Sequence, residues 1–210
     1  MKIFYRTFFL IIFFFQSLLA VEKDGVVMDI GFSPLLGWDN HTAIYYGMFN
    51  IGVGYRHKQH TFAIEDNLYI YNIPNVIKSG GIFDANFVYG YTIILSPEWG
   101  IKPSIAMGYT TRNKYNYDQL NSYKGLNLEI SPEIYYQITS SKYSTLDLAI
   151  FLNGNYRIFE IIGNEVGFSA GFKIVYTYDF KSAFDDLHKT IEKIKEMEKK
   201  AKENEKVFTE

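Results

Sequence analysis

Cysteine is absent from this 210-residue chain. That excludes a disulfide framework, a thiolate metal site and a lipid-accepting cysteine near the amino terminus. Proline is scarce at 5 residues and tryptophan at 2. No apolar run reaches the roughly 20 residues that a membrane-crossing helix needs; the nearest, Thr7–Ala20, falls short. Charge of one sign is also missing. The formal net charge is -2 and no basic stripe runs along the chain, so nucleic acid is not an expected partner.

What is abundant is aromatic, with Tyr and Phe at 18 each. Aromatic side chains favour strands. They also populate the interfacial girdles of membrane barrels, and they would serve a soluble sandwich equally well, so periodicity has to decide. Residues 1–20 are set aside first. Lys2 and Arg6 form a basic start, Phe8 to Phe15 an apolar core and Ser17 to Ala20 a cleavage region, the pattern of a secretory signal peptide.

Beyond Ala20 the chain alternates. A strand sends successive side chains to opposite faces, so a membrane-barrel wall reads apolar toward lipid and polar toward the lumen. In the clearest segment Phe83, Ala85, Phe87, Tyr89, Tyr91, Ile93 and Leu95 oppose Asp84, Asn86, Gly90 and Thr92. The last segment sets Val166, Phe168, Phe172, Ile174, Tyr176, Tyr178 and Phe180 against Glu165, Gly167, Ser169, Gly171, Lys173, Thr177 and Asp179. Eight such segments predict an all-β, eight-stranded antiparallel up-and-down barrel over residues 21–180, followed by a charged helical tail over 181–210.

One segment breaks the rule. Between His60 and Asn72, Asp66 shares a face with Phe62, Ile64, Leu68 and Ile70, and shifting the register exposes Glu65 instead. A lipid-facing acid costs about 2 kcal/mol or less near the midplane. A β-bulge at Glu65–Asp66 is therefore predicted, since it turns both acids away from lipid. Connections alternate too: His57–Gln59, Ser96–Trp99 and Thr139–Tyr143 read as short, and Ile73–Gly80, Thr111–Lys124 and Arg157–Gly163 as longer. Short periplasmic turns, long extracellular loops and both termini in the periplasm are the pattern of outer-membrane barrels.

On these residues the chain resembles the small eight-stranded outer-membrane barrels, the family that contains the membrane domain of outer-membrane protein A. Its final strand, Gly171–Phe180, is similar to the carboxy-terminal signal read by the barrel-insertion machinery, with Tyr176, Tyr178 and Phe180 as the alternating aromatics. Here thirty residues follow that signal, as in family members with a periplasmic extension. The Lys, Ile, Asn and Tyr usage resembles spirochaetal barrels. The resemblance implies an outer-membrane location, with outer-membrane lipid and the insertion machinery as partners.

In the tail, Phe184, Leu187, Ile191 and Ile194 follow a 3–4 spacing, a narrow helical stripe. It fades within about two heptads, which predicts a solvated helix at the barrel mouth with weak self-association at most.

Chemistry is sparse. None of the four histidines, His41, His57, His60 and His188, falls beside a serine on a strand, so no nucleophile and base are paired. No enzyme, cofactor or metal is expected. The lumen-facing charges are Asp29, Arg56, Glu65, Asp84, Lys102, Glu129, Glu133, Asp147, Glu165 and Lys173. An eight-stranded barrel is just wide enough for its side chains to fill, and buried charges must pair, so these predict a salt-bridge plug. Function then falls to the outer loops, with Arg112, Lys114, Tyr115, Tyr117, Tyr123 and Lys124 as the candidate surface for an extracellular protein ligand. The alternative is a small-solute or cation-preferring pore, because many lumenal positions are small and acids outnumber bases.

Overall fold

A computed structural model of the chain describes residues 24–39, 42–72, 79–116 and 119–207. The signal segment, Tyr117 and most of the 73–80 connection lie outside them. The elements are β1 (Gly25–Asp39), β2 (Thr42–His57), β3 (His60–Asn72), β4 (Ser79–Tyr91), β5 (Ile93–Ile94), β6 (Trp99–Asn116), β7 (Gln119–Ser140), β8 (Ser144–Phe159), β9 (Gly163–Tyr178) and α1 (Phe180–Val207). β5 continues β4 past a break at Thr92, so the strands make eight staves. Each pairs antiparallel with its neighbours in the chain. β1 closes the sheet on β9, with Val26 opposite Tyr178 and Phe32 opposite Phe172. The result is a closed up-and-down barrel, which leaves no strand edge to satisfy in lipid.

Burial is inverted relative to a water-soluble domain. Met28, Ile30, Phe32, Ile105, Met107, Ile150 and Phe168 are exposed on the outside, while Asp84, Asn67, Asn127 and Thr110 are buried within. The expected alternation holds stave by stave. Exposed Tyr55, Trp99, Tyr136 and Tyr176 cluster near the end that carries both described termini, and Tyr109 and Tyr156 near the other. Trp99 packs on Tyr136 with ring centroids 4.8 Å apart. An apolar belt between two aromatic rims is the surface a bilayer requires. A groove of about 1030 Å³ on the wall, lined by residues such as Phe87, Met107, Leu128, Pro132, Gly154 and Phe168, belongs to that belt.

Three expectations are corrected. No bulge interrupts β3: Glu65 pairs with Gly52 and Asn86, and Asp66 with Ile51 and Ala85, in one continuous register. Glu65 is buried in the lumen, and Asp66 stays on the outer wall, half-buried. The register shift falls instead between β7 and β8, at Gln137–Thr139. The segments 111–124 and 157–163, read as long loops, are largely strand. The β6–β7 ladder runs on to Asn116 opposite Gln119, and β8 reaches Phe159 before a turn closed by Gly163 at φ 83°. Finally, β9 ends at Tyr178, and Phe180 opens the helix rather than ending the strand.

Candidate functional site

The polar side chains of eight alternating strands converge on the barrel axis and sort into layers. Nearer the termini, Lys102 Nζ lies 2.9 Å from Glu133 Oε2, and Lys173 Nζ lies 2.6 Å from Glu133 Oε1 and 3.5 Å from Glu65 Oε1. Lys102 and Glu133 are cross-strand neighbours on β6 and β7. Lys173 on β9 and Glu65 on β3 are separated by two intervening staves, so that contact crosses the interior.

Toward the other end, Arg157 on β8 donates from Nε and Nη2 to both carboxylate oxygens of Asp84 on β4, at 2.6–3.2 Å. Its guanidinium also sits 4.5 Å from the Tyr69 ring centroid and 3.6 Å from Glu165 Oε1. Arg112 pairs with Glu165. Asp84 is 0% exposed and Arg157 2%. A two-pronged arginine–carboxylate contact is both strong and directional.

Between these two layers lies a belt of amides. Asn50 Nδ2 donates to Asn67 Oδ1 at 2.6 Å, and Asn127 Nδ2 to Asn86 Oδ1 at 3.1 Å. Asn67 and Asn86 each donate to Glu129 Oε2, at 3.4 and 3.5 Å. Asn155 donates to the Tyr69 hydroxyl at 3.3 Å.

The structure thus joins Glu65, Lys102, Glu133 and Lys173 in one cluster and Asp84 and Glu165 in another. Asp29, Arg56 and Asp147 are buried, without an ion pair to one another. Glu129 is held by amides rather than by a cation. Of the candidate loop surface, Arg112 is corrected: it is 2% exposed and faces the lumen. Lys114 and Tyr115 lie in the paired part of the β6–β7 hairpin, Tyr123 is half-buried and Lys124 exposed. Sequence reading missed Arg157, Tyr69 and the amide belt. For Arg157 the signal was there: period two runs unbroken through Asn153, Asn155 and Arg157.

The helix is clasped to the barrel mouth. Asp179 caps α1, its Oδ1 accepting the Ser182 amide at 2.9 Å. Asp186 accepts from the Tyr143 hydroxyl at 2.7 Å and pairs with Lys142 in the β7–β8 turn. The hydrogen bonds from Lys142 and Tyr143 hold the Asp186 carboxyl below its ordinary value, and the bond to Asp186 holds the Lys142 ammonium above its own. A lowered acid stabilises the docked state above its undocked pKa and loses that contribution as pH falls through the docked value. A raised base contributes below its undocked pKa and loses it as pH rises through the docked one. The clasp is therefore expected to hold over a plateau from mildly acidic to mildly alkaline pH and to loosen at both extremes. A spin label at Leu187→Cys, followed across pH, should gain mobility at both limits; mobility independent of pH would remove the clasp.

Against known proteins, no protein family and no curated protein matches the sequence. Solved structures do match. Neisserial surface protein A is similar with a TM-score of 0.59 at 12% identity, over 75% of this chain and 97% of that one. The fold is that of the small eight-stranded outer-membrane barrels. Ail, the attachment invasion locus protein of Yersinia pestis, solved with the heparin analogue sucrose octasulfate, is similar with a TM-score of 0.50 at 10% identity, over 74% of this barrel chain and 99% of its own.

Proposed function

We propose that the chain is an outer-membrane barrel with both termini in the periplasm, its lumen closed by the charge layers and its work done at the opposite rim. The carrying observation is that Arg157–Asp84 and Lys173–Glu65 join staves across the interior, with each group almost fully buried. An eight-stranded wall offers little more room than its side chains occupy. Bonds that cross that room stiffen it and obstruct passage. The rim then offers the β6–β7 hairpin, which the ladder extends well past the lipid-facing Tyr109, as a surface for an extracellular protein. Tyr123 and Lys124 are the described side chains of that surface. Outer-membrane lipid and the insertion machinery, reading Tyr176 and Tyr178 on β9, are the remaining partners of this reading. The exposed α1 stripe of Phe184, Leu187, Ile191 and Ile194 suits weak self-association.

Planar-bilayer recording of refolded residues 21–210, with insertion checked by protease protection, tests the closed lumen. A protected but silent barrel is the expected result. Reproducible conductance steps would favour a cation-preferring pore, the reading supported by the amide belt and its uncompensated acid. In that case Glu129→Gln with Glu133→Gln should reduce cation preference. No catalytic step belongs to either reading.

A further inference from the structure

We infer that the amide belt is a binding site for one monovalent cation, with Glu129 as its anionic ligand. Glu129 is 5% exposed and touches no cationic group. The nearby cations are committed elsewhere, Lys173 to Glu65 and Glu133, and Arg157 to Asp84 and Glu165. Both amides that reach Glu129 donate to Oε2, which leaves Oε1 to a ligand.

The second observation is independent of that charge. Asn155, directly opposite Glu129 in the β7–β8 ladder, is buried with its Oδ1 unpartnered, and so is Asn127, two residues along β7 on the same face. Cross-strand neighbours sit about 5 Å apart at Cβ and same-face neighbours about 7 Å, within reach of a common ligand. Asn50 Oδ1 is a further buried acceptor of the belt without a donor. The belt therefore has a surplus of acceptors as well as a surplus negative charge.

Three guests could answer this. Water donates two hydrogens but leaves the carboxylate charge uncompensated in a buried place. A proton on Glu129 removes the charge but supplies one donor for several acceptors. A cation bound through oxygens removes the charge and satisfies the acceptors together. The ligand set is hard oxygen, and one carboxylate among neutral amides matches a single positive charge. Sodium or potassium is the class of ion this fits. The inference does not depend on whether the lumen conducts: in a silent barrel the ion braces the wall, and in a pore it is the site an ion visits.

The test uses the full chain refolded in detergent micelles. Its unfolding midpoint is followed while sodium chloride, and separately potassium chloride, replaces N-methylglucamine chloride at constant ionic strength, the organic cation being too large for the belt. A ligand that binds only the folded state raises stability in a saturable way. The wild type should show saturable stabilisation by sodium or potassium. Asn127→Ala and Asn155→Ala should each need about tenfold more of the ion for half the effect, on the scale of one lost ligand contact. Glu129→Gln, which keeps the shape and loses the charge, should lose the response. If Glu129→Gln does not refold, the two asparagine variants carry the test. Indifference of the wild type to the salt exchange overturns the inference and assigns the charge to a proton. An unchanged ion response in all three variants, or in both asparagine variants when Glu129→Gln does not refold, overturns it equally.

Discussion

Replacing Arg157 with Met is expected to cost about 3–5 kcal/mol of barrel stability, the range for removing one partner of a buried ion pair. Asp84 is 0% exposed and takes two prongs of the guanidinium. Without Arg157 its charge has no partner and no route to water. The Tyr69 ring also loses the cation 4.5 Å above it, a contact worth roughly 0.5–2 kcal/mol. Glu165 is less affected, because Arg112 remains. Most of the loss therefore comes from stranding Asp84. The double variant Arg157→Met with Asp84→Leu should recover a large part of it, since an apolar pair of similar volume often matches a buried ion pair. Urea unfolding in lipid vesicles, read by tryptophan fluorescence, measures both. A loss below about 1 kcal/mol for the single variant, well under that range, would mean that Asp84 is solvated or protonated, and the layer would no longer count as a brace.

Much of this architecture was legible because lipid imposes a rule that the chain obeys residue by residue. Phe83 to Tyr91 alternates with one inward apolar residue, Val88, and the stave forms there, broken at Thr92 and resumed briefly as β5. The third stave runs from His60 to Asn72, the bounds its pattern predicts. What failed was locality. Arg112 and Arg157 read as loop residues because polar residues crowd around the first and the second follows Asn153-Gly154-Asn155, yet both strands run on with the same period. The amide belt could not be read as a network, since Asn67, Asn86 and Glu129 belong to three staves and meet only when the sheet closes. The misplaced bulge has a different cause. Asp66 alone argues for a bulge, but β3 is tied on both sides and its inward face carries Glu65 to Lys173 and Asn67 to Glu129. A one-residue slip would turn that whole face toward lipid. The chain accepts one acid on the wall rather than lose the lumen.

That acceptance has a measurable cost. Phe62, Ile64, Asp66, Leu68 and Ile70 are the five outward positions of β3 between its ends, so Asp66 stands at mid-belt. Between the aromatic rims it is the only Asp, Glu, Lys, Arg or His on the outer wall among the described residues. Asp66→Leu is therefore expected to stabilise the barrel in vesicles by about 1–2 kcal/mol at neutral pH, the scale for removing an acid from the lipid face. Asp66→Asn should gain less, because an amide in hydrocarbon still lacks its partners. Asp66→Lys should lose stability, since a base at the midplane costs about 2–4 kcal/mol. Glu65 separates this from a general effect of charge. It is one residue away but faces the lumen against Lys173, so Glu65→Leu should destabilise where Asp66→Leu stabilises. A destabilising Asp66→Leu would reverse the assignment: the carboxylate would then be paired within the membrane, and the wall around Ala85 and Ile51 would be a contact rather than a lipid face.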